Sequence, residues 1–388
     1  MSRRLSLALP LLLLWPGLAR PEDDTAALLR DIRAVAGGHT AASPTARKAW
    51  DRLVARGPAA LPRVLEAMDT PDPVAANWLR TAFDRIADAD LRTGGKQIDT
   101  DALLAFARDR RRHGRARRLA LETADRLRPG SSSRLLAGWL DDPEFRYDAV
   151  ALLAEEAGAL ARAGSRDKAA AAYRKAFAAT NDVPQGQMLA ARLKELGSTV
   201  SLAEHFGFLT DWYVIGPFDA RGGKGFQTAY PPEREVDLAA ELPGKAGKVR
   251  WKHYRVAESP AAPPARVALV NLLEPLGHAD DAVAYAFTAF TVPEARTAEF
   301  RGAADDNFTV WVNGKKAFGF EEYRNGIRLD RHRFRVRLRA GTNTVLVKVC
   351  QAPADPLNSD PNWEFLLRVT DPTGQGVPFK HTPPEKRS

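Results

Sequence analysis

The stretch Val310-Trp311-Val312-Asn313-Gly314-Lys315 decides the fold of the C-terminal half. Asn-Gly readily adopts the positive φ angles of a two-residue type I′ turn, so this stretch predicts a β-hairpin. On both sides of it, from about residue 206 onward, short apolar segments of strand length follow one another with no helical pattern between them. Such a series predicts an antiparallel β-sandwich or jelly roll.

The clearest single strand is Arg331 to Arg339, in which apolar Phe334, Val336 and Leu338 alternate with arginines. Strict alternation predicts a strand of an antiparallel sheet with one packed face and one face toward solvent or ligand. We expect the cationic face to bind sulfated or uronate polymers in a salt-dependent way. Its candidate binding residues are Arg333, Arg335 and Arg337.

The N-terminal half is rich in Ala, Leu and Arg, and its apolar residues recur at helical spacing. Asp72-Pro73 and Asp142-Pro143 each follow one helix and open another, at a separation typical of two helical-hairpin repeats. The stretch Leu135 to Ala154 resembles a HEAT repeat, although Ala76 stands in the earlier copy where Arg146 would align. We predict an α-solenoid of HEAT-like hairpins, with an irregular helical bundle as the alternative.

Several motifs of the C-terminal half resemble the galactose-binding-like β-sandwich that many glycoside hydrolases carry as a sugar-binding domain. They cover about residues 280 to 370 and comprise Asp305-Asp306, Val310-Trp311-Val312-Asn313-Gly314, and Ala340-Gly341-Thr342-Asn343-Thr344 with the valines that follow. The resemblance implies glycan binding through polar loop groups and an exposed aromatic ring. The residues that its motifs implicate are Asp305, Asp306, Trp311 and Asn313. Trp363, at the end of a polar loop, is a further candidate for stacking on a sugar ring.

These candidates also have structural interpretations. Asp305 and Asp306 are suited to bonding local backbone amides in a turn, and acidic loop residues are also suitable calcium ligands. Trp311 and Trp363 are large apolar side chains that proteins often bury in a core. The sequence leaves these alternatives open.

The first residues have the three parts of a secretory signal: a basic start, an apolar run and small residues at Gly17 and Ala19. The sequence therefore predicts a secreted or periplasmic protein without a membrane span. The predicted layout is a signal peptide at 1–19, a HEAT-like helical domain at 20–204, a β-sandwich at 205–372 and a disordered polar tail at 373–388.

The formal net charge of +9 is spread over both halves of the chain. No aromatic residues interleave the arginine-rich run from Arg108 to Arg118, so nucleic acid is not expected as a partner. The seven histidines and the single Cys350 have no zinc-ligand spacing, and no nucleophile elbow or complete phosphate loop occurs. Apart from the calcium alternative that stays open at Asp305 and Asp306, we therefore expect no metal, no cofactor and no catalytic residue.

Together these features predict an exported, non-catalytic binding protein. Its helical half would offer a surface to a protein partner, and its sandwich would bind a glycan or a cell-surface polymer. Two alternatives stay open at this point. One is a structural or assembly component without a small ligand, and the other is a glycan-active hydrolase.

Overall fold

The computed structural model describes residues 21–35, 43–324, 326–353 and 362–382. The predicted signal peptide at 1–19 lies outside these residues. The chain divides into two compact units, with the boundary between Leu135 and Leu136. The sequence predicts a domain boundary at 204/205, where helices give way to strands. In the structure, the compact unit that contains the sandwich begins well before that point, at Leu136.

The first unit consists of helices, as the spacing of its apolar residues predicts. The longest helix, Pro73–Arg92, shows how the sequence starts a helix at this point. The Asp72 carboxylate accepts hydrogen bonds from the backbone N–H groups of Val74 at 2.7 Å and Ala75 at 3.0 Å, and Pro73 occupies the first turn. The helices are α1 (Pro21–Arg33), α2 (Pro44–Ala55), α3 (Leu61–Ala67), α4 (Pro73–Arg92), α5 (Thr100–Arg108), α6 (Gly114–Leu127) and α7 (Ser131–Leu136).

The second unit begins with four helices and continues into the strands. The helices are α8 (Arg146–Arg162), α9 (Arg166–Ala179), α10 (Val183–Glu195) and α11 (Leu202–Phe206), with two short ones later, α12 (Pro231–Arg234) and α13 (Leu273–Leu276). The strands are β1 (Asp211–Asp219), β2 (Glu241–Pro243), β3 (Lys248–Arg250), β4 (Lys252–Arg255), β5 (Val270–Asn271), β6 (Ala282–Val292), β7 (Arg296–Ala304), β8 (Phe308–Val312), β9 (Lys315–Phe320), β10 (His332–Leu338), β11 (Gly341–Gln351), β12 (Glu364–Thr370) and β13 (Lys380–His381).

Two main antiparallel sheets form a sandwich-like arrangement. The seven-stranded sheet has the order β4-β1-β6-β11-β8-β9, with β13 also paired to β6, and the four-stranded sheet has the order β10-β7-β12-β5. The predicted hairpin is confirmed: β8 pairs with β9, and the turn residues Asn313 and Gly314 have φ angles of 51° and 74°. Strand β11 is central, since Val347 lies between Ala286 of β6 and Val310 of β8.

The core lies between the two sheets and is built by alternation along the strands. On β11, Val345, Val347 and Val349 contribute to it, together with Phe300 of β7 and Phe365 of β12. The residues between them point to the opposite face, which on β11 means Leu346, Lys348 and Cys350.

The outer faces of both sheets are also covered. Helices α8 to α11 pack on the four-stranded sheet, where Phe206 and Phe177 share a cluster with Ala303 and Leu366. The segment 220–251 packs on the outer face of the seven-stranded sheet. Because α8 to α11 share a hydrophobic cluster with the sheet, they belong to the same compact unit as the sandwich.

The last described residues differ from the polar tail that the sequence suggests. Val377 is 2% exposed, the Phe379 ring packs on Phe290, and β13 pairs with β6. Those apolar side chains hold residues up to Thr382 on the sheet, whereas 383–388 lie outside the described residues. Among the helices that the structure describes, none is long and apolar enough to cross a membrane.

Candidate functional site

The arginines of β10 form the most prominent charged surface of the sandwich. Arg333, Arg335 and Arg337 are exposed, while Phe334 and Val336 between them face the core. Alternate residues of a strand lie roughly 7 Å apart, so the three side chains form a regular row. We call these three residues the arginine row. No described residue forms an ion pair or a hydrogen bond with their side chains.

The row stands at an edge, because β10 pairs with β7 and has no strand on its other side in the described part of the chain. Its backbone partners on β7 are Arg301, Glu299 and Thr297. The neighbouring charges on β7 are already neutralised: the Arg301 guanidinium donates to Glu299 at 2.8 Å and to Asp330 at 3.0 Å. The unpaired positive charge of this face is therefore concentrated on the edge strand.

Asp330 stabilises the inner part of the same face. Its carboxylate accepts from the Arg368 Nε at 2.7 Å and from the Arg301 Nη1 at 3.0 Å, and both arginines are buried. Burial by itself would raise the pKa of the Asp330 carboxyl, but the two guanidinium groups outweigh it and hold the pKa below its usual value. We call Asp330, Arg301 and Arg368 the buried charge network.

The two adjacent aspartates have different surroundings. The side chain of Asp306 is buried, and its carboxylate accepts from the backbone N–H of Arg324 and of Ala352, both at 2.6 Å. Burial raises the pKa of Asp306 to about 6. Asp306 thus joins two distant backbone segments. The sequence suggested instead that it bonds backbone amides of a local turn. Asp305 is half-buried, and its backbone N–H donates to the Glu364 carbonyl at 3.1 Å.

The two candidate tryptophans differ in exposure. Trp363 is 1% exposed in the core between the sheets, and its indole N–H donates to the Val349 carbonyl at 3.3 Å. It offers no face to a sugar ring, so the interpretation of Trp363 as a sugar-binding residue is wrong and its interpretation as a core residue is confirmed. Trp311 is half-buried on the outer face of β8 and packs with the cluster under the segment 220–251.

Asn313 belongs to the β8–β9 turn and binds the neighbouring strand. Its Nδ2 donates to Asn343 Oδ1 at 2.9 Å, and its Oδ1 accepts from the Thr344 backbone N–H at 3.0 Å. Both side-chain groups are therefore used within the protein. The structure brings Asp306, Trp363 and Asn313 into structural contacts and leaves the arginine row facing solvent.

One buried polar cluster was missed by the sequence reasoning. Lys348 is 1% exposed, and its ammonium donates to the carbonyls of Phe226 and Thr228, at 3.1 and 2.7 Å, and to Glu233 at 2.8 Å. The Tyr285 hydroxyl also donates to Glu233, and burial raises the pKa of Tyr285. The cluster fastens the segment 220–251 to the sheet. Its only sequence signal is a lysine inside an apolar strand.

The described residues contain no group of three or more side chains that could hold a metal ion. Two acidic side chains near the predicted site are engaged within the protein: Glu364 forms an ion pair with Arg266 at 2.6 Å, and Asp306 accepts from backbone N–H groups.

Comparisons with known proteins find little. No family model matches the chain, and no curated protein matches its sequence. Among solved structures, a β-glucuronidase of Faecalibacterium prausnitzii is 12% identical over 42% of this chain and 31% of its own, with a TM-score of 0.23. An α-xylosidase from Xanthomonas citri is 13% identical over 42% of this chain and 16% of its own, with a TM-score of 0.20. This chain thus spans less than a third of either enzyme, and likeness at this level assigns neither fold nor function.

Proposed function

We propose that this protein is an exported, non-catalytic binding protein whose sandwich holds an anionic glycan or cell-surface polymer along the arginine row. The observation that carries the proposal is the row itself: Arg333, Arg335 and Arg337 are exposed and form no ion pair with a described residue. A regular row of cations on a rigid strand matches a polymer that repeats its negative charges, because several weak contacts then form together.

The covered faces and packed tryptophans of the sandwich favour a ligand site built from charged side chains over one built from aromatic rings. Helices α8 to α11 cover one outer face and the segment 220–251 covers much of the other. Trp363 is buried, and Trp311 packs within the cluster under that segment. The exposed side chains of the edge strand β10 are therefore the surface on which this proposal rests.

In this proposal the galactose-binding-like sandwich is joined to a HEAT-like solenoid that offers a surface to a protein partner. Residues 1–19 would direct export to the periplasm or beyond, so the mature chain would begin at Arg20. Intact mass of the protein from its native host tests the export claim. A retained Met1 to Ala19 segment would exclude it.

The binding claim is tested with dextran sulfate, and with neutral dextran as the matched uncharged polymer. The triple variant Arg333→Ser, Arg335→Ser, Arg337→Ser is compared with a triple variant of the exposed arginines Arg85, Arg108 and Arg115, which changes the net charge equally. We expect the full chain to bind dextran sulfate at low salt and to weaken as salt rises toward 0.15 M, where the screening length is about 8 Å.

The variant without the arginine row should lose at least ~10-fold in affinity, equivalent to about 1.4 kcal/mol, and the control triple variant should lose much less. Equal losses in both variants would mean that net charge alone attracts the polymer, and would contradict the proposal. If the variant without the arginine row binds dextran sulfate normally but aggregates more, the row protects a sheet edge from pairing with another chain. That result would support the structural alternative and contradict the proposal.

A further inference from the structure

The first unit contains a shallow cleft that the sandwich does not share. It has a volume of about 340 Å³ and lies between α2 and α4. Its lining comprises Arg47 and Trp50 of α2 and Asn77, Trp78 and Thr81 of α4. Volumes of roughly 300–1,000 Å³ are usual for small-molecule sites. We call it the tryptophan cleft.

Both indole rings are half-buried, and one is held by hydrogen bonds. The Trp50 indole N–H donates to the Thr81 hydroxyl at 3.1 Å, and that hydroxyl donates to the Trp78 carbonyl at 2.8 Å. The first bond links α2 to α4, and the second fixes the Thr81 hydroxyl within α4. Trp50 is thus preorganised, so a ligand would not have to order that side chain on binding.

Three hydrogen-bond donors of the cleft have no partner among the described residues. They are the guanidinium of Arg47, the side-chain amide of Asn77 and the indole N–H of Trp78. Arg47 and Asn77 are exposed, and none of the side chains described around the cleft is acidic. The cleft therefore combines aromatic faces with unused donors and a net positive charge, which suits a ligand with an apolar face, several acceptors and an anionic group.

The surroundings favour a small ligand over a protein. A protein interface usually buries about 800 Å² on each partner and centres on exposed apolar side chains. Val74, one turn before Trp78, is the only large apolar residue of this unit that is strongly exposed within the described part of the chain.

We propose that the tryptophan cleft binds a uronic-acid residue of a polysaccharide. The C–H face of the sugar ring would lie on the Trp78 indole, its carboxylate would pair with Arg47, and its hydroxyl oxygens would accept from the Asn77 amide. The claim is independent of the arginine row, because it rests on other residues in the other compact unit.

The test uses the full chain from Arg20 and two probes that share the same rings: tetragalacturonic acid and its methyl ester. Titration calorimetry measures both affinities for the wild type, for Trp78→Ala and for Arg47→Gln. The matched controls are Trp139→Ala, a half-buried tryptophan of the second unit, and Arg85→Gln, an exposed arginine of α4.

We expect the acid to bind more tightly than the ester. Trp78→Ala should weaken both probes at least ~5-fold, since aromatic stacking is worth roughly 1–3 kcal/mol. Arg47→Gln should remove the preference for the acid and leave the ester unchanged. Both control variants should bind like the wild type. The effects of Trp78→Ala and Arg47→Gln should persist when they are made in the variant without the arginine row, which removes any binding of the acid to β10.

The proposal is overturned by no binding of either probe, by equal affinity for acid and ester, by equal losses in variants and controls, or by a chain dimer that Trp78→Ala dissociates. If Trp78→Ala fails to fold, as circular dichroism would show, Arg47→Gln decides the question because Arg47 is exposed. Complete loss of binding of both probes in the variant without the arginine row would assign them to β10 and contradict this proposal while supporting the other.

Discussion

Replacing Asp330 by Asn should destabilise the second unit more than any change of an exposed charge. Asp330 holds two buried guanidinium groups, and its side chain is 11% exposed against 2% for Arg368. Arg301 keeps its bond to Glu299 in the variant. Arg368 keeps two bonds to backbone carbonyls at 3.4 Å, which are too long to compensate a buried charge.

Breaking a buried ion pair by removing one partner costs about 3–5 kcal/mol, because the remaining charge is left unpaired. We expect a loss of that size in the free energy of unfolding of Asp330→Asn at pH 7. Urea unfolding followed by tryptophan fluorescence measures it, since Trp212 and Trp363 are buried in this unit. The control is Glu195→Gln, which removes an exposed ion pair with Arg192 and should change little.

The pH dependence provides a second measurement of the same network. The pKa of Asp330 is lower in the folded protein than in the unfolded chain, so its contribution is present above the unfolded pKa of about 3.9. The contribution disappears as the pH falls through the lower, folded value. The difference between wild type and Asp330→Asn should therefore shrink below about pH 4. A loss no larger than that of Glu195→Gln at pH 7 would refute this account of the network.

Three further predictions concern the core, a junction and a buried acid. Trp363→Ala should lower the free energy of unfolding by ~3–5 kcal/mol without changing dextran sulfate binding, and a binding defect in the folded variant would contradict its place in the core. Gly207→Ala should cost at least ~1–3 kcal/mol in urea unfolding, because Gly207 has a φ of +73° and an added Cβ would lie 2.2 Å from the Val369 carbonyl oxygen; wild-type stability of this variant would show that α11 is not fixed to the sheet there. Asp306 has a pKa raised from 3.8 to about 6, so its contribution to stability is greatest below about pH 4 and falls as the pH rises through 6. Thermal unfolding of Asp306→Asn should therefore show a smaller deficit at pH 7 than at pH 4, and a deficit independent of pH would disprove the burial effect.

Local patterns in the sequence were sufficient for two features of the strands, the β8–β9 hairpin and the alternation of faces in β10. Asn313-Gly314 predicted the β8–β9 hairpin because few residue pairs adopt two positive φ angles. The alternation in β10 predicted an exposed arginine row because side chains of a strand point alternately to opposite faces. Both features depend on residues close to one another in the chain.

Contacts between distant residues decided the rest. Near residue 206 the spacing of apolar residues changes from helical to strand-like, and this change predicted a domain boundary. The boundary falls inside a compact unit because Phe206 packs in the same cluster as Ala303, which no local pattern shows. Burial of Trp363 and of Asp306 depends on which segments cover them, and the Lys348 cluster forms only when the segment 220–251 folds onto the sheet. Periodicity reports which face of an element is apolar, but the partner that covers that face comes from elsewhere in the chain, and only the tertiary structure identifies it.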